Sequence, residues 1–217
     1  MVQTPARDFA LFSRIGGMTL DICEGLSAEQ WEGPSTCAGW KVKHLIAHQA
    51  AGTTYSGPRM LAYAIRCGST TKAGHEMAID MAQECTREEI LQAFAKGHGE
   101  RPANLYARIV SIDVGILDAA IHLQDLRRSV HDDGQIPTEV AEVLFDLIPV
   151  TRGPVNTKAK VAGLQLHAID LDRTLGEGPL VEGTLEAMMM AAGGRREALA
   201  ELTGPGVAVL AQRIGAA

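Results

Sequence analysis

One stretch of sequence, Asp118-Ala-Ala-Ile-His122-Leu-Gln-Asp125, carries three side chains whose spacing could do chemistry together. At 100° per residue, Asp118, His122 and Asp125 fall within an arc of roughly 60° on one helix face. Val114 and Ile121 lie on or beside that arc, so the polar trio shares a face expected to turn inward. An unpaired carboxylate there would be costly. Two readings stand: a core histidine hydrogen-bonded to aspartate, or histidine plus carboxylate holding a divalent metal, as helix bundles do. An isolated Asp-x-x-x-His favours the first. His44 and His48 form a second candidate, again four residues apart, and two solvated histidines would look the same. If the two helices face each other, His48 with Asp118 and His122 makes three ligands and leaves a position open for water or a thiol.

The elements that must position these residues are read from periodicity. Leu11, Phe12, Ile15, Met18, Ile22 and Leu26 give a helix over Phe9 to Leu26, weakened but not necessarily ended by Gly16-Gly17. After the turn-rich Trp31 to Trp40 loop, a second helix starts near Lys41 and continues toward Tyr63 or Ile65. Cys67 to Gly74 reads as loop. Thr86 with Glu89 forms a capping box that opens a third helix, ending between Gly97 and Pro102. The fourth runs from about Leu105 to His131 and stops at Asp132-Asp133-Gly134. Four amphipathic helices in residues 1–135 read as a four-helix bundle. Residues 136–217 read as a small α+β domain: a helix over Thr138 to Leu147, a strand within Val161 to Asp170, and a Met- and Ala-rich helix over Thr184 to Leu202 broken at Gly193-Gly194.

Composition narrows the partners. Of 217 residues, 46% are hydrophobic, enough for a substantial core, and the net charge of −6 disfavours generic affinity for nucleic acid or anionic membranes. Aromatics at 4% argue against base-stacking platforms. Cys23, Cys37, Cys67 and Cys85 form no CxxC pair, which suggests reduced thiols in a cytoplasmic protein. The first residues contain no apolar run of the length a signal peptide or membrane span needs.

Trp31-x-x-Pro34-Ser35-x-Cys37-x-Gly39-Trp40-x-Val42-x-x-Leu45-x-x-His48 resembles the start of helix two in the DinB-like mycothiol-dependent enzymes, the group of maleylpyruvate isomerase and mycothiol S-transferases. Asp118-xxx-His122-xx-Asp125-Leu-Arg is similar to their second metal motif, usually Glu-xxx-His-xx-Asp. Ala168-x-Asp170, Gly176-x-Gly178-Pro179-x-Val181-x-Gly183 and Gly194-Arg195 resemble their appended C-terminal domain. The resemblance implies a mainly α fold, a DinB-like four-helix bundle followed by a small α+β domain. It implies His48, Asp118 and His122 as ligands of a divalent metal, zinc foremost, with Asp118 standing where the family usually has Glu. It places Asp125 where a ligand is oriented, and Arg195 where an arginine contacts an anionic substrate and serves catalysis.

Other residues carry plainer expectations. Trp31 and Trp40 read as packing anchors, Met188 to Met190 as adaptable core, and Arg127-Arg128 as charge favourable to a helix C-terminus. Cys37 has no histidine or carboxylate at motif spacing and is not read as a nucleophile. Gly176-x-Gly178 reads as a turn.

The function expected is a metal-dependent thiol transferase or isomerase that uses mycothiol as thiol cosubstrate and a small electrophile as substrate, in a cytoplasmic protein that could form a homodimer. Two alternatives use the same bundle: a binding module for a small apolar ligand or a protein partner, kept open by Asp118, and a hydrolase working through metal-bound water.

Overall fold

The structure is a computed structural model, and it describes residues 6–100 and 111–215. Helix α1 spans Phe9–Gly25, with Asp8 accepting hydrogen bonds from the N–H groups of Ala10 and Leu11 at its start. It runs unbroken through Gly16-Gly17. A short α2 (Ala28–Glu32), opened by a Ser27–Gln30 capping box, leads through an extended loop to α3 (Val42–Thr54).

The expected second helix is two helices. Helix α3 stops at Tyr55, and Ser56 caps α4 (Gly57–Cys67). Pro58 is the reason: it has no N–H to donate to the turn before it, and its ring would crowd that turn's carbonyl. Gly68, at φ 64°, ends α4 in the left-handed conformation. The Cys67 to Gly74 stretch is loop only as far as Ser69, which caps a further helix, α5 (Thr70–Glu84). Its buried residues, Ala73, Gly74, Met77, Ala78, Met81 and Ala82, are mostly small. That left a faint apolar pattern. Helix α6 (Arg87–Gly99) begins on the expected Thr86–Glu89 capping box. Helix α7 spans Ile112–Val130 and ends at His131; the start expected for it near Leu105 lies outside the described residues.

The remainder is helical with one small sheet. Helix α8 (Thr138–Leu147) and the short α9 (Thr157–Val161) precede β1 (Gln165–Ala168), a strand shorter than the one expected from Val161 to Asp170. Strand β1 lies between β2 (Arg173–Leu175), antiparallel to it, and β3 (Leu180–Gly183), parallel to it. Helix α10 (Leu185–Ala192) ends at the expected Gly193-Gly194, a 3₁₀ turn covers Arg196–Glu201, and α11 (Gly206–Gly215) closes the chain. This is the expected architecture: a DinB-like helical bundle plus a small C-terminal α+β unit.

Two apolar clusters fill the interior. One joins α3, α5 and α6 through residues such as Leu45, Ile46, Met77, Ile90 and Phe94, with Leu126 of α7. The other joins the first half of α1 and the middle of α7 to α8, α10 and α11, through Ile15, Leu117, Phe145, Met189 and Leu210. Helices α1 and α7 serve both. The three methionines Met188 to Met190 are core, as expected.

Candidate active site

Helices α3 and α7 bring the sequence-predicted residues together. His48 of α3 and Asp118 and His122 of α7 each offer one donor atom, all within 4.8 Å of one another. Asp118 Oδ1 lies 3.8 Å from His122 Nε2 even with its shorter side chain. The imidazole rings of His48 and His122 meet edge to face with centroids 5.1 Å apart.

Each histidine is oriented from its far nitrogen. His122 Nδ1 donates to Asp125 Oδ2 at 3.0 Å, and His48 Nδ1 lies 3.4 Å from the carbonyl of Gly74 on α5. Both acceptors lack a proton, so both rings keep N–H at Nδ1; His48 presents an Nε2 lone pair, and His122 does so once a cation displaces its Nε2 proton. Gly74 is what allows α5 this close, because a Cβ there would stand 3.2 Å from His48 Cε1. Two imidazole nitrogens and a carboxylate oxygen are the donor types of a zinc or related divalent site, and here they converge from two facing helices. The residues fit a metal.

Electrostatics separate the two histidines. Burial, helped by His122, lowers the pKa of His48 to about 4. Burial works the same way on His122, but the carboxylates of Asp118 and Asp125 overcome it and raise that pKa to about 10. The pair of carboxylates therefore makes His122 a strong attractor of positive charge.

Asp125 is fully buried and acts as a hub. Oδ1 accepts from Thr36 Oγ1 at 3.1 Å and from Arg195 Nε at 3.0 Å; Oδ2 accepts from His122, from Cys37 Sγ at 3.2 Å and from Arg195 Nη2. These partners hold its carboxyl far below the usual carboxylate range despite burial. Arg195 also donates from Nη1 to the Gly193 carbonyl and from Nη2 to Cys37 Sγ at 3.2 Å. Its approach depends on Gly194, whose φ of 98° turns the chain off the end of α10.

Three residues without a site role at the level of sequence complete the surroundings. Cys37 sits on the Asp125 hub and forms a second donor group with His122 and Asp125, a contact across 88 residues that no local spacing reveals. Trp40 is more than a packing anchor: its ring lies 5.2 Å from His48, 5.5 Å from His75 and 6.3 Å from His122. Its indole N–H donates to His75 Nδ1. His75 escaped notice because its helix did. His44, by contrast, takes the N–H of Lys41 at the start of α3 and does not join the donors. A cavity of about 370 Å³ opens beside the donors, lined among others by Cys37, Trp40, His75, His122, Arg195 and Arg196.

A helical bundle carrying two histidines and a carboxylate on facing helices, with a mouth closed by a C-terminal arginine, defines the class. Residues 12–127 match the family model described as the mycothiol maleylpyruvate isomerase N-terminal domain. The chain belongs to this DinB-like, mycothiol-dependent family, whose members are enzymes of the transferase and isomerase type. The fold is similar to the crystal structures of a mycothiol-dependent maleylpyruvate isomerase and of its histidine-to-alanine mutant, each at 14% identity, covering 91% of both chains with a TM-score of 0.58. No curated protein matches the sequence significantly. Among the described residues, no helix is long and apolar enough to cross a membrane.

Proposed function

We propose that this protein is a divalent-metal-dependent, mycothiol-using isomerase or transferase acting on a small anionic electrophile. The observation that carries the reading is the convergence of His48, Asp118 and His122 beside a cavity that also exposes Arg195. The solved relatives' dependence on mycothiol and their isomerase activity point the same way. Zinc is among the divalent ions this donor set takes, and when bound it would stabilise the thiolate form of the cosubstrate, which is the nucleophilic form.

The chain's own residues do the rest. Asp125 fixes the His122 ring and keeps its Nε2 aimed at Asp118. Arg195 stays cationic in its pairing with Asp125 and stands at the cavity wall beside Arg196, where a carboxylate of the substrate can meet the two guanidinium groups. Trp40 covers both ligand rings and keeps water from their flanks. The attacking sulfur and the electrophilic carbon are thereby held in one small space. Departure of the thiol after bond rotation gives an isomer; retention gives a conjugate.

The test is metal content of the purified protein and of His48→Ala and His122→Ala. Near-stoichiometric metal is expected in the parent and a loss of roughly tenfold or more in affinity in each variant. Retention of full metal by both variants would show the assignment to be wrong.

A further inference from the structure

A second cavity, of about 560 Å³, adjoins the first and is lined by Arg66, Cys67, Thr71, Lys72, His75 and Glu76. His75 lines both cavities. Its ring is held by the Trp40 indole, which can only donate, so Nδ1 accepts and the neutral ring carries its proton on Nε2. His75 thus offers one N–H at the junction. Thr71, Lys72 and Glu76 sit on the exposed side of α5, with Lys72 and Glu76 four apart and therefore neighbours. Arg66 comes from α4, where it also pairs with Asp80 at 3.2 Å.

The chemistry of this lining is mixed. It has two cations, a carboxylate, a hydroxyl, a thiol and an N–H set among mostly aliphatic surface, with no dominant sign. A charged ligand would meet a like charge here; a neutral group rich in hydroxyls, each both donor and acceptor, would meet partners of both kinds. The first cavity is near the small end of the roughly 300–1,000 Å³ that encloses a ligand, room for a reacting end and little more.

We propose that the second cavity seats the polyhydroxylated, sugar-like part of the thiol cosubstrate, with His75 bridging the two cavities and Lys72 and Glu76 determining specificity for that part. This rests on the reading of a mycothiol-dependent site above. Binding energy from the remote sugar would then position the sulfur at the donors, as remote contacts do in enzymes generally.

The experiment separates the two ideas by using two probes on the metal-loaded protein in calorimetry: intact mycothiol, and glucosaminyl-inositol, its sulfur-free part, N-acetylated so that it stays as neutral as the amide it replaces. Lys72 and Glu76 are exposed, so the double variant Lys72→Ala/Glu76→Gln should fold normally, and circular dichroism checks this. Both probes should bind the parent, and both should weaken roughly tenfold in the double variant, as expected for one or two lost hydrogen bonds. His122→Ala should weaken mycothiol while leaving glucosaminyl-inositol unchanged. If glucosaminyl-inositol fails to bind the parent, or binds the double variant as well as the parent, the second cavity is not the sugar seat. If glucosaminyl-inositol binds as described but mycothiol binds no tighter and ignores His122→Ala, the sugar seat holds and the metal–thiol reading fails instead.

Discussion

His98 shows how one side chain can set the response of the whole protein to acid. It is almost fully buried, its ring stacked on Phe12 and Phe94 at centroid distances of 4.5 and 3.9 Å, and Nδ1 reaches only the Phe94 carbonyl at 3.0 Å. Burial lowers its pKa to about 4 from the ordinary 6.5. The unfolded chain therefore binds more protons between those values, so stability is full above pH 6.5 and is lost as pH falls toward 4. At pH 5 the loss comes to about 2 kcal/mol, since each pKa unit is worth about 1.4 kcal/mol. Urea unfolding of the metal-loaded protein at pH 7.5 and pH 5 should show this drop, and His98→Phe should reduce it; an equal drop in the variant would assign the acid sensitivity elsewhere. At this scale the sequence was readable where spacing is local. The arc of Asp118, His122 and Asp125 is a property of one helix, and so is the pairing of His122 with Asp125. Cys37 and Arg195 touch across 158 residues, and only folding puts them together.

Helix α1 poses its own question, because two adjacent glycines behave oppositely. A Cβ on Gly16 would come within 2.6 Å of the His98 side chain, whereas one on Gly17 would meet nothing within 4 Å. Gly16 is there so that α6 can lie against α1; Gly17 leaves only the entropic weakness of glycine in a helix. Gly17→Ala should therefore stabilise the protein by roughly 0.5–1 kcal/mol, and Gly16→Ala should destabilise it by about 1–3 kcal/mol through overpacking. Thermal unfolding of the two variants checks both signs, and equal effects would overturn the distinction. Helices with a side-chain cap or a clear apolar face were legible: α1, α6 and α8 stand close to where periodicity puts them, and α7 ends where expected. Helix α5 was not, because alanine and glycine on its inner face give little hydrophobic contrast, and neither was the Pro58 break, masked by apolar residues that continue in step on both sides. Strands β2 and β3 are three and four residues long among glycines, too short for alternation to register.

Across the molecule, the candidate ligands tie together helices that lie far apart in sequence. A shared ion would bridge α3 to α7, and an ion that binds only the folded chain stabilises it by mass action, about 2.7 kcal/mol at a free concentration one hundred times Kd. Chelation should accordingly lower the melting temperature by several degrees, and re-addition of zinc should restore it; an unchanged melting temperature would argue against a metal linking these helices. The broad architecture was legible from the family-like motifs and from the change in pattern after Pro137. What escaped was how continuous the interior is: Ile15 of α1 and Leu117 and Ile121 of α7 belong to the same apolar cluster as Phe145, Met189 and Leu210. Those contacts run between segments that no local pattern connects.

That continuity matters for how the chain is made. During synthesis His48, Asp118 and His122 emerge shortly before the apolar residues of α8 and well before α10, Arg195 and α11. A growing chain can thus hold its full set of donors while one flank of α7 still faces water, and the arginine that meets Asp125 arrives near the end. The order of appearance leaves an interval in which the three candidate donors are present without Arg195, and the last fifth of the chain completes the lining of the cavity beside them.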